Sequence, residues 1–186
     1  MIQTKIYSAA VGTLALIGGA MSYDKPLHVY AFSTPAQTAT LQPSQVSSRS
    51  FQLAQSTVNT AALEVAVFNQ INQFRATQGL PRLSRNSAID NQARIHSQNM
   101  ASGRVAFSHY GFGPRIQAIA IPYRGASENV AYNQGYRDSA TQAVQGWLRS
   151  SGHLANIRGN YNLTGIGVAR NSRGAVYFTQ LFILQR

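Results

Sequence analysis

No cysteine occurs among the 186 residues, which excludes disulfides, thiolate metal ligands and thiol nucleophiles and leaves packing alone to hold the fold. Carboxylates are nearly as scarce: Asp24, Glu64, Asp90, Glu128 and Asp138 are the five acids, against sixteen Lys and Arg. Lysine is confined to Lys5 and Lys25, so the remaining fourteen cations are arginines. With so few acids, any carboxylate inside a motif carries weight. The formal charge of +11 favours anionic partners such as nucleic acid, lipid headgroups or acidic polysaccharide. The arginines are scattered, however, and neither a recognition-helix pattern nor an aromatic-basic ladder is present, which argues against nucleic acid. What the chain does have is 44% hydrophobic residues, enough to bury one good core and to exclude disorder throughout.

Organisation along the chain is uneven. Lys5 precedes the apolar run Ile6 to Met21, which ends in Gly18-Gly19-Ala20 and is too short and too rich in Gly and Ala for a bilayer span. Residues 1–31 therefore read as a signal peptide or membrane-targeting segment, with cleavage after Ala20 or Ala31. An uncleaved anchor and a packed amino-terminal helix are the competing readings. Export places the mature protein outside the cell, in the periplasm or at the envelope. Residues 32–60 turn to Ser, Thr, Gln and Pro with Arg49 as the one charge, a composition that cannot offset ordering entropy and reads as a flexible tether. A folded domain is expected over 61–186, as a monomer.

Within that domain Leu63, Val67, Ile71 and Phe74 make one helical stripe that stops at Gly79 and Pro81. A second helix is predicted from about Asn86 to Ala101, with His96 on its apolar face as a packing histidine. A short piece follows from Pro114 to Ala120, Pro114 suiting a first turn. Asp138 then caps a helix bearing Val144, Trp147 and Leu148 that breaks at Ser151-Gly152, and a short turn covers Leu154 to Ile157. Leu163–Arg170 and Ala175–Leu184 read as strands joined by the hairpin loop Asn171-Ser172-Arg173-Gly174. The last strand is apolar on both faces, so it belongs at the centre of a sheet covered on each side. The expected fold class is α+β: a three-layer α-β-α sandwich with a mainly antiparallel central sheet.

Chemistry concentrates between Phe107 and Ile157, where His109, Glu128 and His153 each sit in a Gly- or Ser-rich loop beside an apolar anchor. Two neutral imidazoles can supply nitrogen ligands to Zn²⁺ or another divalent cation at ~2.0–2.1 Å, with a carboxylate as third ligand or as partner of a metal-bound water. The spacing is not a local metal motif, so convergence depends on the fold. The alternative is structural, with Glu128 accepting backbone N–H bonds in a Ser127-Glu128-Asn129 turn and each histidine bonded to the sheet. Asn129 reads as a buried amide tying its loop to the core, and Trp147 as core. Tyr110, Asn129, Ser150 and Gln180 are the residues that could border a cleft. Ser108 and Ser151 neighbour histidines, but neither lies in a Gly-x-Ser-x-Gly elbow, which disfavours serine catalysis.

The order of His109 in Ser-His-Tyr-Gly, Glu128-Asn129-Val130-Ala131, Trp147 followed by Ser151-Gly152-His153 with Asn156-Ile157, and a closing hairpin with Thr179-Gln180-x-Phe182 resembles the CAP superfamily. That superfamily includes cysteine-rich secretory proteins, venom antigens and plant pathogenesis-related proteins, and this chain is most similar to its short, disulfide-free bacterial members. The likeness covers about Leu63 to Leu184. It implies an α-β-α sandwich whose central cleft carries His109, His153 and Glu128. Ser150 stands where many eukaryotic members place a second glutamate, and Leu154 where many bacterial relatives place a basic residue.

Three functions compete on these grounds. One is a binding module whose cleft takes a divalent cation or an unidentified ligand without turnover and requires no cofactor. The second is a metal-assisted hydrolase with Glu128 as candidate base; three candidates do not readily fill three ligand roles and a base. The third is an adhesion module whose arginines grip acidic polysaccharide or lipid of the envelope. Adhesion of that kind is expected to weaken steeply as salt rises and to ignore His109→Ala and His153→Ala, as co-sedimentation with an anionic polymer would read; retention at high salt counts against it.

Overall fold

The computed structural model of the protein describes the backbone of residues 44–186 and the side chains of residues 60–186; the segment 1–31, read above as a signal peptide or membrane-targeting segment, lies outside the described residues. In chain order the elements are α1 (Ser44–Thr77), β1 (Ser84–Arg85), α2 (Ser87–Ala101), α3 (Phe112–Gln117), β2 (Tyr123–Asn133), α4 (Ser139–Arg149), α5 (Ser151–Arg158), β3 (Leu163–Arg170) and β4 (Val176–Gln185). Helix α1 starts inside the segment read as a tether, in a run after Pro43 with no Gly or Pro to interrupt backbone pairing. Asn86 caps α2 by accepting from the amides of Ala88 and Ile89, and Asp138 caps α4 by accepting from Thr141 N at 2.9 Å.

The four strands run in the order β1-β3-β4-β2, with β3 and β2 both antiparallel to β4 and only the two-residue β1 parallel to β3. Helices cover both faces, so the expected three-layer sandwich is what the chain adopts. Val176, Phe178 and Phe182 of β4 pack under α1, α4 and α5 with Val67, Ile71, Val144, Trp147 and Ile157. Leu181 and Ile183, alternating with them, pack under α2 and the end of α3 with Ile89, Ala93, Ile116 and Ile119. Period-two alternation thus divides one strand between two cores. Strand β2 is the element the sequence reading missed. Tyr-Arg-Gly-Ala-Ser-Glu-Asn-Val-Ala-Tyr-Asn shows little β-branched enrichment, and its strand state comes from pairing with β4 along nearly its whole length. Glu128 and Asn129 therefore lie on a strand and not in a turn. His153 likewise sits inside helix α5, which runs two residues ahead of it, and not at the head of a short turn.

Two polar arrangements fix the layers. The side chain of Arg75, in the last turn of α1, is fully buried and donates to the carbonyls of Pro81 at 2.9 Å, Ile157 at 2.7 Å and Gly159 at 2.9 Å. Outer amides of β3 that β1 is too short to pair are capped by carboxylates: Asp90 Oδ1 accepts from Ile166 N at 2.8 Å and Glu64 Oε1 from Val168 N at 3.3 Å. Arg85 and Arg94 neutralise both acids, Arg85 bridging them and Arg94 forking onto Glu64.

Helix α2 lies so close on β3 that Gly165 and Gly167 meet its backbone directly. A Cβ on Gly167 would overlap the main chain of Ala93 and Arg94, atoms with no side-chain freedom to move aside. Gly146, exposed on α4, has open space around it. Gly167→Ala is accordingly expected to cost about 3 kcal/mol by overpacking, whereas Gly146→Ala is expected to add up to about 1 kcal/mol of helix propensity. Urea denaturation of the two variants checks the pair, and equal effects would contradict the close approach.

Candidate functional site

Strand β2, the sheet edge opposite β1, is where the two helical layers come around to meet. The face of β2 that looks towards α2 and α3 carries Glu128, whose side chain is buried. Both of its oxygens are engaged. His109 Nδ1 lies 2.8 Å from Oε1, and Arg115 approaches Oε2 with Nε at 2.9 Å and Nη2 at 2.7 Å. An ionised carboxylate only accepts, so Nδ1 is the donor of this contact, and in the neutral form of the ring Nε2 is the nitrogen that carries the lone pair.

His109 reaches this place on the loop after α2, and that loop is held from inside. His96, buried on α2, hydrogen-bonds the carbonyl of Ser108 through Nε2 at 2.9 Å. Gly111, at φ +78°, takes the left-handed turn that swings the chain into α3 and brings Arg115 back under Glu128. Ser108 Oγ donates to Ala106 O at 3.2 Å and so is not directed at a histidine nitrogen.

The second imidazole comes from the other layer. His153 sits on α5 with its ring centroid 6.4 Å from that of His109 and the planes tilted by 46°. Its Nε2 is buried and has no hydrogen-bond partner. The backbone around it is tied to β2 by amides: Asn129 Nδ2 donates to His153 O at 3.2 Å, and Asn156 Nδ2 donates to Asn129 Oδ1 at 2.9 Å and Glu128 O at 3.2 Å. One strand residue thus orients His109 while its neighbour anchors the helix bearing His153. A family model described as the cysteine-rich secretory protein family, CAP, matches residues 68–182, which include all of these residues. The chain belongs to the CAP family.

Relatives agree. Among curated proteins, the uncharacterized protein YkwD of Bacillus subtilis strain 168 is 33% identical over 130 residues, covering 67% of this chain and 48% of that protein. The chain therefore spans about half the length of that relative. Among solved structures, an extracellular protein containing an SCP domain from Bacillus anthracis superposes with a TM-score of 0.59 at 25% identity, over 80% of this chain and 45% of the other. An outer surface protein of Borrelia burgdorferi gives 0.56 at 17% identity over 64% and 90% of the two chains, a likeness of fold.

In this CAP domain the residues expected to border the cleft separate. Tyr110 is 78% exposed, and its carbonyl accepts from Arg115 Nη1 at 3.4 Å. Ser150 is half-buried as the N-cap of α5, with no side-chain capping bond. Asn129 is fully buried beneath the cleft. Gln180 is fully buried opposite it on β4 and donates to Thr164 Oγ1 at 3.2 Å, inside the core and away from solvent. Arg115 is the participant that sequence reasoning overlooked. Nothing local distinguishes it from thirteen other arginines; the usable signal was that a buried glutamate needs a cation.

Burial disfavours the charged form of two imidazoles. Burial pushes the His153 pKa down, and the charge of His109 adds to the effect. Burial also pushes His96 down, outweighing the opposing pull of Glu128 and the Ser108 carbonyl, with Arg115 and His109 lowering it further. Because these folded-state values lie below the unfolded value of ~6.5, the unfolded chain takes up protons first. Stability is then complete above that value and falls as pH drops through it. Thermal midpoints are expected to decline from pH 7 towards pH 5, with two imidazole resonances titrating below the range of free histidine; a midpoint that rises over this interval contradicts the burial argument.

Proposed function

We propose that this CAP domain works outside the cell as a binding module whose cleft takes a divalent cation, Zn²⁺ above all, between His109 and His153. The observation that carries the reading is the Nδ1 contact of His109 with Glu128 at 2.8 Å. A metal-ligating histidine characteristically donates its other ring nitrogen to a carboxylate, which fixes the tautomer and raises the basicity of the free nitrogen. The buried Nε2 of His153, unpartnered among the described residues, is a second donor atom. Among the described residues no group of three or more His, Asp or Glu is placed to hold a metal. Two imidazoles would therefore share the ion with solvent or with a ligand entering the cleft.

Turnover is not part of the reading. Both oxygens of Glu128 are committed to His109 and Arg115, so the carboxylate acts as an orienting group and does not take a proton from water. Export is supported by the extracellular and outer-surface descriptions of the structural neighbours. Calorimetric titration with ZnCl₂ near neutral pH is expected to show binding that His109→Ala/His153→Ala abolishes and that mild acid weakens, imidazolium being unable to ligate. Glu128→Gln is expected to lower affinity by about 10–100-fold. Absence of Zn²⁺ binding, or binding indifferent to the double variant, would sink the proposal.

A further inference from the structure

A groove of about 560 Å³ opens between the carboxyl end of α2 and the β3–β4 hairpin, and none of the cleft residues lines it. Its polar lining includes Arg170 and Arg173, both exposed, together with Gln98 and Asn171. Neither arginine has an ion-pair partner among the described residues. No carboxylate lines the groove either. Of the described acids Glu64 and Asp90 are held by Arg85 and Arg94, Glu128 by His109 and Arg115, and Asp138 by the amino end of α4. The groove is therefore cationic without compensation.

An aromatic row extends from its wall. Tyr177 lines the groove and stacks on its cross-strand partner Tyr132 at 5.4 Å with 28° between the planes, and Tyr132 meets Phe107 at 5.8 Å. Phe107 and Tyr132 are each 50% exposed, an unusual cost for neighbouring rings that nothing among the described residues covers. The three come from segments far apart in sequence, the loop after α2, β2 and β4, and only the fold assembles them.

We propose that this groove binds a short stretch of an acidic polysaccharide. A sugar ring presents an apolar face of C–H groups and an equatorial rim of hydroxyls. The face suits the exposed sides of Phe107 and Tyr132, the rim suits the amide of Gln98 and the Nδ2 of Asn171, whose Oδ1 is taken by the amides of Arg173 and Ala175, and acidic substituents pair with Arg170 and Arg173. Charge alone would attract any polyanion; the Tyr177 ring beside amides in the groove, continued outside it by Tyr132 and Phe107, selects for a saccharide over a flat lipid surface. The site is separate from the histidine cleft and does not depend on a metal there.

The test uses the full chain and hexagalacturonate as probe, followed by calorimetry at low ionic strength, with cellohexaose as the neutral comparison. Saturable binding of the acidic sugar is expected, weakened at least about tenfold by Arg170→Ala/Arg173→Ala and by about the same factor in Phe107→Ala/Tyr132→Ala. Arg124→Ala/Arg137→Ala, which removes two exposed charges elsewhere, and His109→Ala/His153→Ala are expected to leave it unchanged. All of the groove substitutions are at exposed positions, and unchanged thermal midpoints confirm that the fold persists. The proposal is overturned if hexagalacturonate does not saturate, if the aromatic pair makes no difference, or if an oligothymidylate or anionic vesicles of equal charge bind more tightly than the sugar.

Discussion

A buried guanidinium with no carboxylate opposite it is the interaction on which the arrangement of this domain rests. Among the described residues Arg75 neutralises no acid; it gathers main-chain carbonyls from the turn after α1, from the end of α5 and from the segment leading into β3. Those carbonyls lie at or near helix carboxyl ends, where partial negative charge accumulates and a cation is favoured. The positive charge is distributed over several dipoles, and all of them lose this donor if the side chain is lost. Since α5 carries His153, the geometry of one half of the cleft is inherited from this junction 82 residues away in sequence from Ile157.

The economy of acids follows a similar logic. A chain with five carboxylates uses the four that the structure describes on internal tasks. Two close the open edge of β3, one orients a histidine, and one caps a helix. Edge strands invite pairing with other chains, and charged caps on the outward amides are one of the ways natural sheets prevent it. The excess of positive charge outside is in this sense a by-product: three of the four described acids are buried on structural duty, and the arginines not needed to match them remain outside.

Legibility in the sequence tracked how much of each signal was local. Leu163–Arg170 and the apolar strand after it could be read because β-branched and aromatic residues alternate there between turn residues, and the central place of β4 followed from its having no polar face. The cap Asp138 lies next to the helix it starts, so it too was readable, whereas Asn86 was read as the start of its helix and not as the cap it proves to be. Strand β2 was not, because Ser127, Glu128 and Asn129 look like a turn until a partner strand pairs them. The histidines and Glu128 stood out through their order and through the scarcity of acids. Arg115 stayed invisible among other arginines, and the closeness of α2 to Gly165 and Gly167 is a property of two surfaces that no window along the chain contains.

The sole indole of the chain also sits where information about the assembly is concentrated. Trp147 is buried between α4 and the sheet, and its ring nitrogen donates to the carbonyl of Val130 at 3.0 Å, two residues from Glu128 on the same strand. Its emission therefore reports, without any attached dye, whether the helical layer is still seated on the strand that builds the cleft. Tyr110, Tyr123, Tyr132, Tyr136, Tyr161 and Tyr177 of the described domain provide donors for energy transfer to that one acceptor, so loosening of the sheet edge and global unfolding become optically separable events.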